Sequence, residues 1–294
     1  KMNKDLDERL VPNGEYRDAL NIQVSTSEGS DVGTVQNILG NSLIAGQDFI
    51  PENAVCVGSI ADEKNDKLYY FITQKDLLGG IGSFDNNADS WDVATNAWNI
   101  SNGQATAIFG ENGRIKAFAA LYEGTTYRFT YDIVVPFQDS SGLLLANHAA
   151  GNANVEVLNE NIVGTHSTEW VNGAEGAATA NAPGGFFDSF RLYCYDDGDG
   201  TIDNLTIFNA DKAHSLIVEY DSKTNSITPV FVDTVGDVLK FNADNIITGI
   251  NIIDDLLLWT DNENEPKKIN TQRSKEGTNN NGLVHTQLIV NGVD

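Results

Sequence analysis

DKLYYFIT, residues 66–73, places Asp66 and Lys67 ahead of an aromatic and aliphatic run that closes on Thr73. The run is short, rich in residues that favour extended backbone, and lacks helical apolar spacing, so it reads as a strand. DDLLLWT, residues 254–260, repeats the arrangement near the other end of the chain. Outward from these two, strands are expected at Tyr127–Val135, Asn154–Leu158, Phe187–Tyr195, Leu205–Phe208, Leu216–Tyr220 and Thr228–Val232. Turns fall at Asn13-Gly14, Asp221–Asn225 and Asp261–Glu265. The expected fold class is all-β. Short strands recurring between polar turns predict a partial β-propeller-like body.

Aromatic residues gather in the middle of the chain. Residues 84–209 hold Trp91, Trp98 and Trp170 of the four tryptophans, and carry 16 acidic against 4 basic residues, a balance of −12. Residues 1–83 and 210–294 each carry 13 acidic and 7 basic, a balance of −6. Two composition edges thus divide the chain into a body (1–83), an inserted β-sandwich (84–209) and the body continued (210–294). The 83 residues before the insert and 85 after it suffice for about three or four blades of roughly 40–45 residues. That is short for a closed ring, so other chains or further C-terminal sequence are expected to complete it. Val290–Asp294 reads as a strand and turn cut short, and a first residue other than Met points to trimming or a fragment.

At 294 residues two domains are the natural expectation. No apolar run approaches the roughly 20 residues of a membrane span, and the charged stretch Lys1–Val11 lacks the apolar core of a secretion signal. Cys56 and Cys194 lie far apart in sequence and read as two buried free thiols rather than a disulfide framework. A net charge of −24 opposes gripping a phosphate backbone. The same charge serves solubility, or lines a wall past which DNA slides without sticking.

The opening Met2–Gln23, MNKDLDERLVPNGEYRDALNIQ, combines Asn3 and Asp5, the Asp7-Glu8-Arg9-Leu10 run, the Pro12-Asn13-Gly14-Glu15 turn, and Asp18-Ala19-Leu20-Asn21 ahead of a strand. It resembles the start of phage tail nozzle or "stabilisation" proteins, of the muzzle type found in short-tailed, crAss-like phages. Gly29–Gly40 (GSDVGTVQNILG) and Asn245–Arg273 (NIITGINIIDDLLLWTDNENEPKKINTQR) are similar to the same family. The resemblance implies a structural, non-enzymatic virion tail protein. It further implies a homo-oligomeric ring of about six copies, touching other tail and portal-adaptor proteins, through which DNA passes unbound during genome ejection. Phe84–Ala105 (FDNNADSWDVATNAWNISNGQA), the Tyr127–Val135 strand, Asn161–Trp170 (NIVGTHSTEW) and Thr201–Phe208 (TIDNLTIF) resemble a carbohydrate-binding-module jelly roll, which implies an outward module adhering to host surface glycans. The rival reading is a secreted or surface carbohydrate-binding protein, or a glycosidase accessory module. The nozzle-like opening discriminates, having no role in a sugar enzyme.

Sugar rings stack on aromatic faces while amides and carboxylates fix their hydroxyls. Trp91, Trp98, Tyr122 and Trp170 are the pool for such a platform, against the competing reading that large aromatics pack the core. Asp196, Asp197, Asp199 and Asp203, in DDGDGTID, offer alternating oxygen donors around glycines. This suits a structural Ca²⁺, although Gly200 is displaced from the EF-hand position and no closing Glu follows, so a solvated acidic turn stays equally open. No hydrolase, zinc-protease or phosphate-loop motif is present, and His148, His166, His214 and His285 have no ligand spacing.

Overall fold

The structure, a computed structural model, describes residues 3, 7–13, 15–16, 22–26, 33–37, 40, 42–85, 91–94, 98–108, 113–122, 124–137, 143–147, 155–157, 162–171, 186–194 and 200–287. Residues 1–44 and 45–294 form separate compact units. In the first, the Asp7 carboxylate accepts from the Arg9 N–H at 3.0 Å and caps a 3-10 turn, Glu8–Leu10. The Glu15 N–H bonds Pro12 O at 3.0 Å, the turn that Pro followed by Asn favours. Beyond it β1 (Ile22–Thr26) and β2 (Gly33–Asn37) pair antiparallel.

The second unit opens with a hairpin of β3 (Ala54–Asp62) and β4 (Lys67–Gln74). The chain then leaves this sheet for ten strands among the described residues: β5 (Asp92–Ala94), β6 (Trp98–Ser101), β7 (Gln104–Ala107), β8 (Gly113–Tyr122), β9 (Thr126–Val135), β10 (Leu143–Asn147), β11 (Val155–Val157), β12 (Gly164–Val171), β13 (Phe186–Cys194) and β14 (Thr201–Asn209). It returns as β15 (Ser215–Asp221) and β16 (Ser226–Asp233), which rejoin the first two in the order β16-β15-β4-β3. β15 lies antiparallel to β4, from Ser215 opposite Thr73 to Asp221 opposite Lys67. The ten strands therefore occupy the turn position of a β-hairpin. β17 (Gly249–Ile253), β18 (Leu256–Thr260) and β19 (Lys267–Asn270) make a three-stranded sheet, followed by a short helix, α1 (Thr271–Glu276).

The ten strands form two five-stranded sheets, β11-β10-β13-β8-β5 and β12-β9-β14-β7-β6. β9 shows why they face each other. Along TYRFTYDIVV, Tyr127, Phe129, Tyr131 and Ile133 are buried, while Thr126, Arg128, Thr130 and Asp132 look outward. The period of two places one apolar face against Ile115 and Leu121 of the opposite sheet, with Trp91, Trp98, Ile202, Leu205 and Ile207 filling the same core. β15 reads differently. Its run Ser215-Leu216-Ile217-Val218 is buried throughout, because both faces of its sheet are covered. Ile217 packs with Phe71, Leu257 and Trp259 toward the three-stranded sheet, and Leu216 and Val218 pack with Phe49 and Val232 on the other side.

The all-β expectation holds, and the blade count does not. Outside β5–β14, the described residues of the second unit supply one four-stranded and one three-stranded sheet instead of three or four blades. Apolar residues between the strands cover these sheets instead. Leu239, Phe241 and Ile247, in the connection after β16, fill the space between the two sheets. That connection is held by the fully buried Asp233 carboxylate, which accepts the N–H groups of Gly236 (2.9 Å), Val238 (2.8 Å) and Leu239 (2.7 Å). Ser274 of α1 and Thr278 just past it donate to Val230 O (2.7 and 2.9 Å), and Thr286 Oγ1 accepts from the Val232 N–H (2.8 Å). They satisfy the free edge of β16, an alternative to adding a strand.

One thiol also departs from expectation. Cys56 is exposed, because the inward position on β3 is taken by Val57 at 1% exposure. The Cys194 side chain lies outside the described residues.

We propose that β5–β14 fold as a separable module. Replacing residues 76–212 by a short Gly/Ser turn reconnects β4 directly to its neighbour β15, and an insertion whose ends are close tolerates excision. The expected outcome is a shortened protein that keeps its β circular dichroism and a cooperative melt. Loss of both would show that the body needs the insert.

Candidate functional site

The outward face of the β12-β9-β14-β7-β6 sheet is polar where its partner face is aromatic. Register brings Thr165 of β12 and Asp203 of β14 to either side of Asp132 on β9. Thr165 Oγ1 donates to Asp132 Oδ1 at 2.6 Å and Asn204 Nδ2 donates to Asp132 Oδ2 at 2.7 Å. Asn204 can do so because β14 is irregular between Asp203 and Thr206, and Asn204 takes a left-handed φ of 51°, which Asn tolerates better than most residues. Its own N–H bonds Asp203 Oδ1 at 2.7 Å. Burial, reinforced by the nearby charges of Asp132 and Asp85, pushes the Asp203 carboxyl above its ordinary range, against hydrogen bonds from Asn204 and Gln104. Carboxylate acceptors thus stand beside amide and hydroxyl donors on a rigid sheet.

At its other end this face meets the four-stranded sheet in a cleft of about 370 Å³. Thr206 and Phe208 of β14, His214, Gln74–Asp76 with Gly79 and Gly80, and Phe241–Asp244 line it. Hydrogen bonds fix this junction. The buried Gln74 amide donates to Asn209 O (2.8 Å) and Ala213 O (3.0 Å), and its oxygen accepts from the Asn209 N–H (3.0 Å). Asp76 accepts from the N–H groups of Ile207 (2.8 Å), Leu78 (3.1 Å) and Gly80 (3.2 Å). Burial nonetheless raises the Asp76 carboxyl above its usual range. Arg128 spans the same junction, donating to Thr234 O at 3.0 Å and pairing with Glu169 at 2.6 Å. His214 lies edge-on to Phe208 with ring centres 4.5 Å apart, and burial lowers its affinity for a proton.

Two of the four aromatics in the expected platform pool lie in the core. Trp91 and Trp98 are each 4% exposed and belong to the sandwich core, the first donating its indole N–H to Ile81 O at 3.1 Å. A ring enclosed on all sides has no face for a sugar. Tyr122 is 47% exposed, but it ends β8 in the opposite sheet, its N–H bonded to the Tyr127 hydroxyl at 2.7 Å. Trp170 sits opposite Tyr127 in β12, and its side chain lies outside the described residues, as do Asp196, Asp197 and Asp199. Asp203, the described member of the acidic turn, faces Asp132. No group of three or more His, Cys, Asp or Glu able to hold a metal occurs among the described residues. None of their helices is long and apolar enough to cross a membrane. Asp132, Thr165, Gln104 and Phe208 were not singled out from sequence. The polar-aromatic alternation of β9 is the signal that exposes the first of them.

No protein-family model and no curated protein matches this chain. Among solved structures it is similar to a family 16 carbohydrate-binding module at 16% identity, covering 46% of this chain and 100% of that one, with a TM-score of 0.30. TmCBM61, solved with β-1,4-galactotriose, matches at 15% identity over 46% of this chain and 99% of that one, TM-score 0.30. The enzymatically active domain of tailspike protein 4 from bacteriophage CBA120 matches at 12% identity over 44% of this chain and 20% of that one, TM-score 0.27. At identities and scores this low, likeness of shape says nothing of what this chain binds.

Proposed function

We propose that this protein binds carbohydrate, without catalysis, through the outward face of its sandwich. The observation that carries the reading is Asp132, whose two oxygens are held by Thr165 and Asn204 beside Asp203 on an open sheet face. Sugar hydroxyls both donate and accept, and this face offers fixed partners of both kinds. In the finer reading the chain is a virion tail component, with copies arranged around the tail axis and the sandwich turned outward to host glycans. The nozzle-like opening Met2–Gln23 supports it. Antibody labelling of virions would place the chain at the tail or elsewhere.

A glycan array probed with the full chain is expected to return specific ligands. Asp132→Ala should weaken them at least about tenfold, since a hydrogen bond to a charged group contributes about 1.5–3 kcal/mol. Silence across the array, or an Asp132→Ala variant that binds as the parent does, refutes the site.

A further inference from the structure

We propose that the cleft between the sandwich and the four-stranded sheet holds one uncharged sugar ring, the terminal unit of a glycan lying along β14. This rests on the carbohydrate-binding reading above and adds a subsite that neither module forms alone. The cleft's volume of about 370 Å³ lies at the small end of ligand clefts, about 300–1,000 Å³, as befits a single ring. Phe208 is half-buried and adds an apolar ring to the lining.

The polar lining has groups left over for hydroxyls. Asp76 is committed to three backbone donors and serves the wall. The Asn242 side-chain oxygen accepts from the Asp244 N–H at 3.0 Å, which leaves its amide N–H₂ for a ligand. Lys75 and the Asp244 carboxylate, both exposed, add one donor and one acceptor of opposite charge. Balanced donors and acceptors suit a neutral polyol better than an anion or a cation. Burial keeps His214 from adding a positive charge at neutral pH.

Position points the same way. Asp203, Thr206 and Phe208 are all partly exposed along one strand, and at about 3.3 Å per residue the cleft, reached at Thr206, begins roughly 10 Å from the acidic cluster. The Gln74 and Asp76 hydrogen bonds hold the β14 side of the cleft in place before any ligand arrives, which lowers the ordering cost of binding.

Saturation-transfer NMR of the full chain with methyl glycosides of glucose, galactose and mannose tests the cleft. At least one is expected to respond, and to bind about tenfold more weakly in Phe208→Ala, the loss of roughly 1.4 kcal/mol. Ala243→Trp, which fills the cleft from a loop and spares the core, should abolish the response, while Asp132→Ala should keep it. An Ala243→Trp variant that responds like the parent overturns the subsite. So does silence from all three glycosides when array glycans still bind through Asp132, and in that case the broader reading survives. Silence in both assays removes both.

Discussion

Glu219→Gln is expected to cost the four-stranded sheet about 3 kcal/mol, the usual effect of removing one partner from a buried ion pair. Glu219 is 4% exposed on β15, directly opposite Tyr69 on β4. Lys67 bonds its Oε1 at 2.9 Å, the Tyr69 hydroxyl its Oε2 at 2.8 Å, and Lys275 from α1 both oxygens at 3.1 and 3.0 Å. Gln fills the same volume and still accepts from Tyr69, but it removes the carboxylate that the two largely buried ammonium groups share. Against the 5–15 kcal/mol typical of a domain, that loss is large. Urea unfolding followed by amide exchange should show it, with β4, β15 and α1 losing protection first. Equal midpoints for the variant and the parent would mean that solvent already screens the cluster. An apolar replacement of all three charges, Glu219→Leu with Lys67→Met and Lys275→Met, should recover much of the loss, because no charge is then stranded.

The same cluster predicts an acid response of defined sign. Burial works against a charged Glu219, but hydrogen bonds from Lys67, Lys275 and Tyr69 outweigh it and bring the carboxyl below its ordinary value of 4.5. A carboxyl depressed on folding contributes stability above its unfolded value and loses it as pH falls through the folded one. The parent should therefore weaken below about pH 4.5, and the gap to Glu219→Gln should narrow there, as protonation makes the two chemically alike. Asp76 runs the other way. Its carboxyl is raised by burial, so its contribution is full below the ordinary carboxylate range and fades as pH rises through the higher folded value. A gap that stays constant or widens on acidification would exclude Glu219 as the source.

Strand identity was legible wherever local chemistry decides it. DKLYYFIT and DDLLLWT became β4 and β18, and the Asp-rich turns fell where Asp221 and Asp261 bond the N–H groups that follow them. Pairing was not legible. β4 is hydrogen-bonded to a strand that begins only at Ser215, and no property of either segment names so distant a partner. Blade counting failed for a related reason: Leu239, Phe241 and Ile247 resemble strand residues in composition, yet Leu239 is bound to Asp233, Ile247 to Val57 O of β3, and all three serve as filling. Placing Trp98 in the platform pool failed where alternation should have been weighed. In Trp98-Asn99-Ile100-Ser101 the tryptophan shares a parity with Ile100 and opposes two polar residues, the signature of an inward ring. Read the same way, Thr126–Val135 sets Arg128, Thr130 and Asp132 outward together. The candidate site was present in the pattern, on the face opposite the aromatics.

Gly82→Ala should unsettle the sandwich as Glu219→Gln unsettles the body. Gly82 lies in a 3-10 turn, Ile81–Ser83, that closes one end of the sandwich core between Leu78 and Phe84. A Cβ at this position would stand 1.7 Å from the carbonyl oxygen of Leu205 on β14, a backbone atom that no rotamer change can move aside. Either the turn lifts away, breaking the Trp91 indole bond to Ile81 O, or β14 shifts. Overpacking a core costs about 1–3 kcal/mol, and a clash with backbone belongs at the upper end. Trp91 and Trp98 report on that core, so the fluorescence melt should move down while amide protection in β15 and β16 persists. The converse is expected for Glu219→Gln, with β9 and β14 still protected. If each variant exposes both sets of strands together, the hydrogen bonds of Gln74 and Asp76 couple sandwich and body into one cooperative unit, and the cleft between them opens only on global unfolding.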